Sequence, residues 1–304
     1  MKIGIIGINK SNQEEHFRSI HQSLDKNLNG IFSPSEEILP ICSSFHIKLR
    51  QSTAELFENS DAVYFAGSLK PNMDFAINAL KNSCHLFIED ISEITVQEIK
   101  KLYKVASEAN VSIQLKLTKS FSQEYLQASD YLSNPKLIDF NTNFSKRLRH
   151  EDYFSEILNN LYIANKKIQS GVKKISSLVL PFDKNHLSLV HIRVDFDNGA
   201  IVNMKYNNIS NEDENIMIFH NKENAVDINF SKHFTTIYKI ENGQVIREEL
   251  AISNTAAFDS EIKSFIYSCK NTKSQNISES PEELKTIQAT HEIIERIKQS
   301  TRPN

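Results

Sequence analysis

Short apolar segments alternate with helical stripes over the first 118 residues of the chain. Ile3–Ile6 has the pattern of a buried strand, and Phe17, Ile20 and Leu24 follow it at the spacing of one helix face. The same alternation continues with predicted strands at 61–67, 85–90 and 111–117 and with predicted helices at 72–83 and from Thr95 onward. Strands and helices in this order predict right-handed βαβ units and a parallel, doubly wound sheet of the Rossmann type.

After Phe121 the pattern changes to short strands that follow one another closely. Asn198-Gly199 and Asn242-Gly243 are typical of hairpin turns between such strands. Two helices are predicted among them, one within 152–171 and one that begins at 280–283. The eight predicted strands are 137–144, 173–181, 187–196, 200–208, 215–221, 224–230, 233–240 and 244–252.

The fold class is therefore α/β plus α+β, in a chain long enough for two cores. We expect a Rossmann dinucleotide-binding domain over 1–120 and, over 121–304, an α+β domain for substrate binding and oligomerisation, built on a large open antiparallel sheet.

Composition and charge narrow the function classes. The net charge of −3 and the pI near 6.4 provide no basic field for nucleic acid. No apolar run has the length of a membrane span, so we expect no membrane partner. The three cysteines are far apart in the sequence, which favours a reducing cytoplasm, and no metal-binding spacing occurs.

Several sequence stretches carry a resemblance to a known family. The segment 61–95 includes Asp61-Ala62-Val63, Ala79-Leu80, Glu89 and Thr95; FSQEY (121–125) and FDNGAIVNMKY (196–206) follow. In this order they resemble the glucose–fructose oxidoreductase/inositol dehydrogenase/MocA family. The resemblance implies hydride transfer between NAD or NADP on the Rossmann domain and a sugar-like or polyol substrate at the open sheet. It also implies a homodimer or higher oligomer.

The resemblance also shows where the catalytic residues depart from the family's pattern. The family follows Glu89 with lysine and proline, and that lysine lies beside the nicotinamide and the substrate; this chain has Asp90 and Ile91. The family's histidine-containing helix corresponds to 152–171, which has no histidine; Asn159 and Tyr162 are the nearest register matches.

Asp90 therefore places a negative charge where the family has a positive one. A carboxylate cannot stabilise a developing alkoxide, so Lys119 and Tyr162 join Asp90 as candidate catalytic residues, Lys119 to supply the cation and Tyr162 a proton. Lys70 and Lys116 could serve as the cation in the same way. For each lysine the competing interpretation is a solvated surface side chain.

The dinucleotide fingerprint G-x-G-x-x-G is incomplete in this chain. Gly7 is present, but Asn9 and Asn12 occupy the positions of later glycines. A helix N-terminus still favours a phosphate there, although one lost hydrogen bond to phosphate costs roughly 1.5–3 kcal/mol. The alternative is an empty turn kept for packing. The candidate cofactor-binding residues of this loop are Gly7, Ile8, Asn9, Lys10, Ser11 and Asn12.

The remaining candidate cofactor-binding residues follow later strands. Ser33 stands where an acidic residue would bind the ribose, and with Ser35 it tilts the choice slightly to NADP, while NAD and the absence of any cofactor stay open. The family pattern adds Gly67, Ser68, Asn72 and Glu89, where Asn72 replaces a histidine.

Two functions remain open from the sequence. One is a divergent NAD(P)-dependent oxidoreductase with a relocated proton-transfer residue. The other is a non-catalytic binding or assembly protein that keeps the family fold, a pseudoenzyme. The only compact basic run, 146–150, could bind an anionic sugar or a sugar-nucleotide phosphate, but a solvated loop is the better interpretation.

Overall fold

A computed structural model describes residues 1–7, 13–183, 186–253, 255–271 and 281–300. The chain divides into two compact units. The first unit comprises residues 1–116 and 258–284, and the second comprises residues 117–257 and 285–304. Each unit has its own sheet and its own buried core.

The strands and helices of the described residues are numbered in chain order. The strands are β1 (Ile3–Ile6), β2 (Leu28–Phe32), β3 (Ala62–Ser68), β4 (His85–Asp90), β5 (Ile113–Leu115), β6 (Leu137–Asn143), β7 (Val172–Pro181), β8 (Leu187–Phe196), β9 (Ile201–Asn207), β10 (Glu214–His220), β11 (Asn224–Asn229), β12 (Phe234–Glu241) and β13 (Gln244–Leu250). The α-helices are α1 (Gln13–Leu24), α2 (Leu39–Ser44), α3 (Thr53–Glu58), α4 (Met73–Lys81), α5 (Val96–Ala109), α6 (Gln123–Gln127), α7 (Phe154–Ile168), α8 (Ala257–Asn271) and α9 (Pro281–Ser300).

The first unit has the predicted parallel, doubly wound sheet. Its strand order is β2-β1-β3-β4-β5, and every neighbouring pair is parallel. The predicted helical stripe of Phe17, Ile20 and Leu24 is fully buried. The rings of Tyr64 on β3 and Phe87 on β4 stack at a centroid distance of 5.1 Å in the same core. The alternation of apolar segments and helical stripes was therefore sufficient to predict this unit's fold class.

Helix α5 begins with the capping box that the sequence predicts. The Thr95 hydroxyl accepts a hydrogen bond from the Glu98 amide at 3.3 Å, and the Glu98 carboxylate accepts one from the Thr95 amide at 2.8 Å. Lys70 also donates to Glu98, at 2.8 Å. Lys70 and, after it, Thr95 lower the pKa of Glu98 to about 2. Lys70 is therefore paired within the first unit.

Helix α8 belongs to the first unit and was not predicted. Phe265 is buried with its ring 5.4 Å from that of Phe87, and Ile262 and Cys269 lie in the same core cluster. Phe258, Ile262, Phe265 and Cys269 follow the spacing of one helix face, which is the signal that the sequence offered. That spacing identifies a helix but not the sheet on which it packs.

The second unit contains the predicted eight strands in one sheet, ordered β13-β12-β11-β10-β6-β9-β8-β7. Gly199 and Gly243 adopt φ angles of +79° and +78° in the hairpin turns that the sequence predicts. One pair differs from the antiparallel expectation, because β6 and β9 are parallel. The chain leaves β6, forms α7 and the β7–β8 hairpin, and returns in the same direction as β6.

The two faces of this sheet differ in character. Phe140, Ile192, Met204 and Met217 belong to the buried face, which α7 contacts where Asn160 donates to the Tyr206 hydroxyl at 2.9 Å. The opposite face alternates with it along each strand and carries polar residues such as Asp139 and Asn203 near the centre of the sheet. Exposed apolar side chains lie towards both ends of that opposite face: Leu178, Leu180, Ile240 and Val245.

Within the described residues, two kinds of site have no structural support. No group of three or more histidine, cysteine, aspartate or glutamate residues is arranged to hold a metal ion. None of the helices combines the length and the apolar character needed to cross a membrane. The three cysteines are buried and form no disulfide, and burial raises the pKa of Cys84 to about 11.

Candidate functional site

The first candidate region lies at the carboxyl ends of the parallel strands in the first unit. The strand order reverses between β1 and β3, and such switch points are where doubly wound sheets bind their ligands. Gly7 follows β1 with φ +96°, and Gly67 on β3 has φ +73°. A Cβ atom on Gly7 would lie 2.5 Å from the Ala66 carbonyl oxygen, so only glycine fits there. The contact with Ala66 thus explains why position 7 requires glycine, which the fingerprint alone did not explain.

Glu89 supports this region from the neighbouring strand β4. Its Oε2 atom accepts a hydrogen bond from the Gly67 amide at 2.8 Å, and its Oε1 atom forms an ion pair with Lys116. Glu89 therefore holds the backbone of Gly67 in place, and Lys116 is occupied by Glu89.

Three further candidate cofactor-binding residues have local partners in the first unit. The Ser33 hydroxyl accepts from the Ser35 amide at 3.2 Å. The Ser68 hydroxyl donates to Glu93 at 2.7 Å, and the Asn72 amide group donates to the Ser68 carbonyl at 3.3 Å. The structure brings Gly7, Gly67, Ser68, Asn72 and Glu89 together, whereas Ile8, Asn9, Lys10, Ser11 and Asn12 lie outside the described residues.

Asp90, the first candidate catalytic residue, closes the turn that follows β4. Its Oδ1 atom accepts a hydrogen bond from the Ser92 amide at 2.8 Å, and its carbonyl accepts one from the Leu69 amide. These bonds give Asp90 a structural role in the first unit. A catalytic role for Asp90 stays a prediction.

The second candidate region is a cavity of about 550 Å³ in the second unit. It lies at one end of the helix-covered face of the sheet, where Asn215 on β10 pairs with Thr142 on β6. The walls come from the 3₁₀ turn Thr118–Phe121, α6, α7, the β11–β12 turn and the segment after β13. Its chemically distinctive lining residues are Lys119, Glu124, Glu156, Asn215, Phe230 and His233.

Lys119, the second candidate catalytic residue, is fixed in the wall of this cavity. Its ammonium donates to Glu156 at 2.6 Å and to the side-chain Oδ1 atom of Asn160 at 2.8 Å, and its side chain is 11% exposed. The Phe230 ring centroid is 5.9 Å from the same nitrogen. An ammonium has three N–H donors, and Glu156 and Asn160 account for two of them. The third can donate to an oxygen atom of a ligand.

Asn160 connects Lys119 to the core of the second unit. Its amide nitrogen donates to the hydroxyl of Tyr206, which is fully buried on β9. Burial raises the pKa of Tyr206 well above its ordinary value, and the charge of Glu156 adds to that effect. Tyr206 is therefore neutral. The hydrogen bonds that link Tyr206 through Asn160 to Lys119 restrict the position of the Lys119 ammonium.

On another wall, Glu124 and His233 form a hydrogen-bonded pair. Glu124 Oε1 lies 2.6 Å from His233 Nδ1, with the Glu124 side chain 6% exposed and the imidazole 76% exposed. Nearby, Asn215 Oδ1 is buried and has no hydrogen-bond partner within the described residues. The cavity therefore contains a fixed cation, a carboxylate–imidazole pair and an acceptor oxygen that a ligand can satisfy.

Tyr162 and the basic run 146–150 do not line the cavity and contact other residues of the second unit. Lys166 lies 5.8 Å from the centroid of the Tyr162 ring, and α7 contributes Glu156 rather than Tyr162 to the cavity lining. In the basic run, the Arg147 guanidinium lies 4.0 Å from the centroid of the Phe182 ring, and Arg149 pairs with Glu151 and Asp152. These contacts agree with the loop interpretation of that run.

Four residues of the cavity lining were not predicted as functional candidates from the sequence: Glu124, Glu156, Asn215 and His233. The stretch FSQEY, which contributed to the family resemblance, contains Glu124 and was the one available signal. The other residues come from α7, β10 and the β11–β12 turn, so only the folded chain places them around one cavity.

The first unit, a parallel doubly wound sheet with Gly7 and Gly67 at its switch point, has the architecture found in dinucleotide-binding proteins. The sequence profile of the Gfo/Idh/MocA family, described as "Oxidoreductase family, NAD-binding Rossmann fold", matches residues 1–117. The predicted resemblance is thereby confirmed for residues 1–117, which match the model of this NAD-binding oxidoreductase family.

Solved structures extend the similarity of fold over almost the whole chain. UDP-N-acetylglucosamine 3-dehydrogenase GnnA from Acidithiobacillus ferrooxidans is 14% identical with a TM-score of 0.86, covering 99% of both chains. A dehydrogenase (MviM) from Clostridium difficile is 17% identical with a TM-score of 0.79, covering 97% of this chain and 99% of its own. Biliverdin reductase from Synechocystis sp. PCC 6803, solved with biliverdin and NADP+, is 15% identical with a TM-score of 0.69, covering 98% of each chain. At these identities the similarity concerns the fold.

Proposed function

We propose that this protein is an NAD(P)-dependent oxidoreductase that acts by hydride transfer on a sugar-like or polyol substrate, with Lys119 in place of the family's usual lysine. The observation that carries this proposal is the fixed ammonium of Lys119 in the wall of the second unit's cavity. A preorganised cation can stabilise the negative charge that develops on a reacting oxygen. The match of residues 1–117 to the family's NAD-binding oxidoreductase model supports the reaction class.

The lining of the cavity supports a substrate with hydroxyl groups. Asn215 Oδ1 is a buried acceptor without a partner, and Glu124 and Glu156 add carboxylate acceptors. A hydroxyl group can donate to such acceptors and can also accept from Lys119. The name of the similar GnnA structure refers to a sugar nucleotide, which also supports a sugar-like substrate.

The first unit has features that fit a dinucleotide. Gly7 and Gly67 both have positive φ angles, and Gly7 also has a close contact that excludes a Cβ atom; both leave the strand ends without side chains, as a phosphate group requires. Gly7, Gly67 and the Ser68 backbone would hold the cofactor, and Ser33 would lie towards its ribose. When bound, the nicotinamide supplies hydride-transfer chemistry. The choice between NAD and NADP stays open, with Ser33 as the slight argument for NADP.

The second candidate function is a non-catalytic binding or assembly protein. It is supported by Asp90, which stands where the family has its lysine and which bonds to the Ser92 amide in a local turn. Turnover of any member of a panel containing myo-inositol, D-glucose, N-acetyl-D-glucosamine and UDP-N-acetylglucosamine would exclude this alternative.

Cofactor binding gives the first test. We expect NADH or NADPH to bind with a dissociation constant below about 1 mM, measured by cofactor fluorescence, which no tryptophan disturbs in this chain. Gly7→Ala should weaken binding at least tenfold, because its Cβ would lie 2.5 Å from the Ala66 carbonyl oxygen.

Gly243→Ala is the matched control for this test. It also replaces a glycine with positive φ, but in a hairpin turn where nothing lies within 4 Å of the added Cβ. The proposed function is contradicted if neither cofactor binds near 1 mM to the wild-type protein, or if both variants bind as the wild type does.

We also propose that the protein self-associates through the sheet face opposite the helices of the second unit. Leu178, Leu180, Ile240 and Val245 are exposed on that face, each between 46% and 72%, and a second copy would cover them. Sedimentation velocity should show a dimer or larger species that Leu180→Asp weakens and Tyr267→Asp, on α8, does not. A single 35-kDa species in the wild type contradicts this proposal.

A further inference from the structure

We propose that His233 takes and returns the hydroxyl proton of the substrate, and that Glu124 is the positioning residue that holds its ring. This inference rests on the oxidoreductase function proposed above. The proton acceptor then lies outside α7, the helix on which the family resemblance places the histidine. Lys119 then keeps the separate task of stabilising the substrate oxygen.

The geometry of the pair suits a proton acceptor. A buried carboxylate oxygen of Glu124 lies 2.6 Å from Nδ1 of His233. A carboxylate at Nδ1 makes that nitrogen the donor and leaves the lone pair on Nε2. Because the imidazole is largely exposed and lines the cavity, Nε2 is accessible to a ligand there.

The backbone around the pair is held independently of the ring contact. The Thr235 hydroxyl, which is fully buried, donates to the Glu124 carbonyl at 3.1 Å. Asn229 accepts from the Lys232 amide at 2.8 Å in the turn before His233. His233 itself has φ +54°, a left-handed conformation that residues other than glycine seldom adopt. Such conformations are often found at functional sites, where surrounding contacts maintain them.

Lys119 and His233 have different roles in the cavity because their protonation states differ. Lys119 is an ammonium paired with Glu156 and bonded to Asn160, so it has no lone pair with which to accept a proton. A neutral His233 has one on Nε2. The charged and titratable groups that face His233 across the cavity are Glu124 from α6, Lys119 from the 3₁₀ turn and Glu156 from α7.

The proposed step conserves atoms and electrons. In the oxidation direction, the O–H bond of a secondary alcohol breaks and its proton binds Nε2 of His233. The C–H bond breaks with both of its electrons, the hydrogen leaves as hydride to the oxidised nicotinamide dinucleotide, and the C–O bond becomes C=O. The imidazolium that forms is stabilised by the Glu124 carboxylate. Reduction of a ketone follows the same path in reverse.

Two variants test the pair by kinetics. For a sugar or polyol that the wild type oxidises, kcat/KM should decrease at low pH as His233 becomes protonated. This acid limb of the pH profile should have a slope of one on logarithmic axes. His233→Gln should lower kcat/KM by about 10²–10⁴ and remove that limb. Glu124→Gln should lower kcat with little change in KM, and Glu124→Asp should restore part of kcat. His220→Gln, on β10 of the same sheet, is the control and should match the wild type.

A second measurement does not depend on activity. Proton NMR of the histidine Cε1–H groups at pH 5–9 follows each imidazole, and the resonance absent in His233→Gln identifies His233. Loss of the carboxylate in Glu124→Gln should change the chemical shift of that resonance at constant pH, because the ring loses the hydrogen-bond partner that fixes its tautomer. Circular dichroism of each variant checks that the fold is retained.

The outcomes separate this inference from the proposed function. Absence of turnover by the wild type with every substrate overturns the proposed function and the catalytic role of His233 with it. Turnover whose acid limb and rate survive in His233→Gln overturns the role of His233 alone. An unchanged His233 resonance in Glu124→Gln overturns the positioning role of Glu124.

Discussion

Replacing Lys119 by methionine should lower kcat for the alcohol or ketone substrate by about 10²–10⁴, a loss typical of a removed catalytic group. Methionine keeps the length of the side chain and removes the ammonium. The substrate oxygen would then lose its positive partner while Glu156, 2.6 Å from Lys119 Nζ in the wild type, keeps its negative charge. Lys119→Arg should retain part of the activity because it keeps the charge.

The control for this prediction is Lys239→Met. Lys239 lies on β12 of the same sheet and also pairs with carboxylates, those of Glu241 and Glu248. Its removal should leave kcat within about threefold of the wild type, since it contributes nothing to the cavity lining. Equal losses in the two variants, or a Lys119→Met enzyme within threefold of the wild type, would contradict the role assigned to Lys119.

Most strands of both units could be predicted because their signal is local. In the second unit, alternation of side chains between two faces marks each strand, and Gly199 and Gly243 mark two of the turns. The parallel pairing of β6 with β9 could not be predicted in this way. It depends on where the chain returns after α7 and the β7–β8 hairpin, which the pattern of a single strand does not contain.

The candidate site was predicted less completely than the fold, for a physical reason. Lys119 could be selected because a cation is needed near a reacting oxygen, and the structure places it in a cavity wall. His233 and Asn215 were not selected, because a single histidine or asparagine in a predicted strand region is most often structural. Their importance comes from Glu124 and Lys119, which are more than 90 positions away in the sequence and close only in the folded unit.

Helix α8 shows that the local sequence does not reveal which sheet a helix packs against. The spacing of Ile262, Phe265 and Cys269 indicates a helix with one apolar face, but any sheet could receive that face. In the structure the recipients are Tyr64 and Phe87, roughly 180–200 residues earlier in the chain. Integrity of the parallel sheet should therefore depend on a helix that follows all eight strands of the second unit in sequence.

Phe265→Ala should consequently destabilise the first unit by about 3–5 kcal/mol, the usual cost of removing a buried phenylalanine side chain. Phe265 is 1% exposed and packs edge-on against Phe87 at a ring distance of 5.4 Å. Hydrogen exchange of the β3 and β4 amides, which reports on the first unit itself, should show the loss as faster exchange under native conditions.

Tyr267→Ala is a closely matched control, because it also replaces an aromatic residue by alanine in α8 but at a position that is 72% exposed. Its effect on the same amides should stay within about 0.5 kcal/mol, as for surface substitutions in general. If both variants accelerate exchange equally, the loss reflects the helix and not its buried face. If neither does, α8 contributes little to the core of the parallel sheet. Only a large loss confined to Phe265→Ala agrees with a Rossmann unit whose core is completed by a distant segment of the chain.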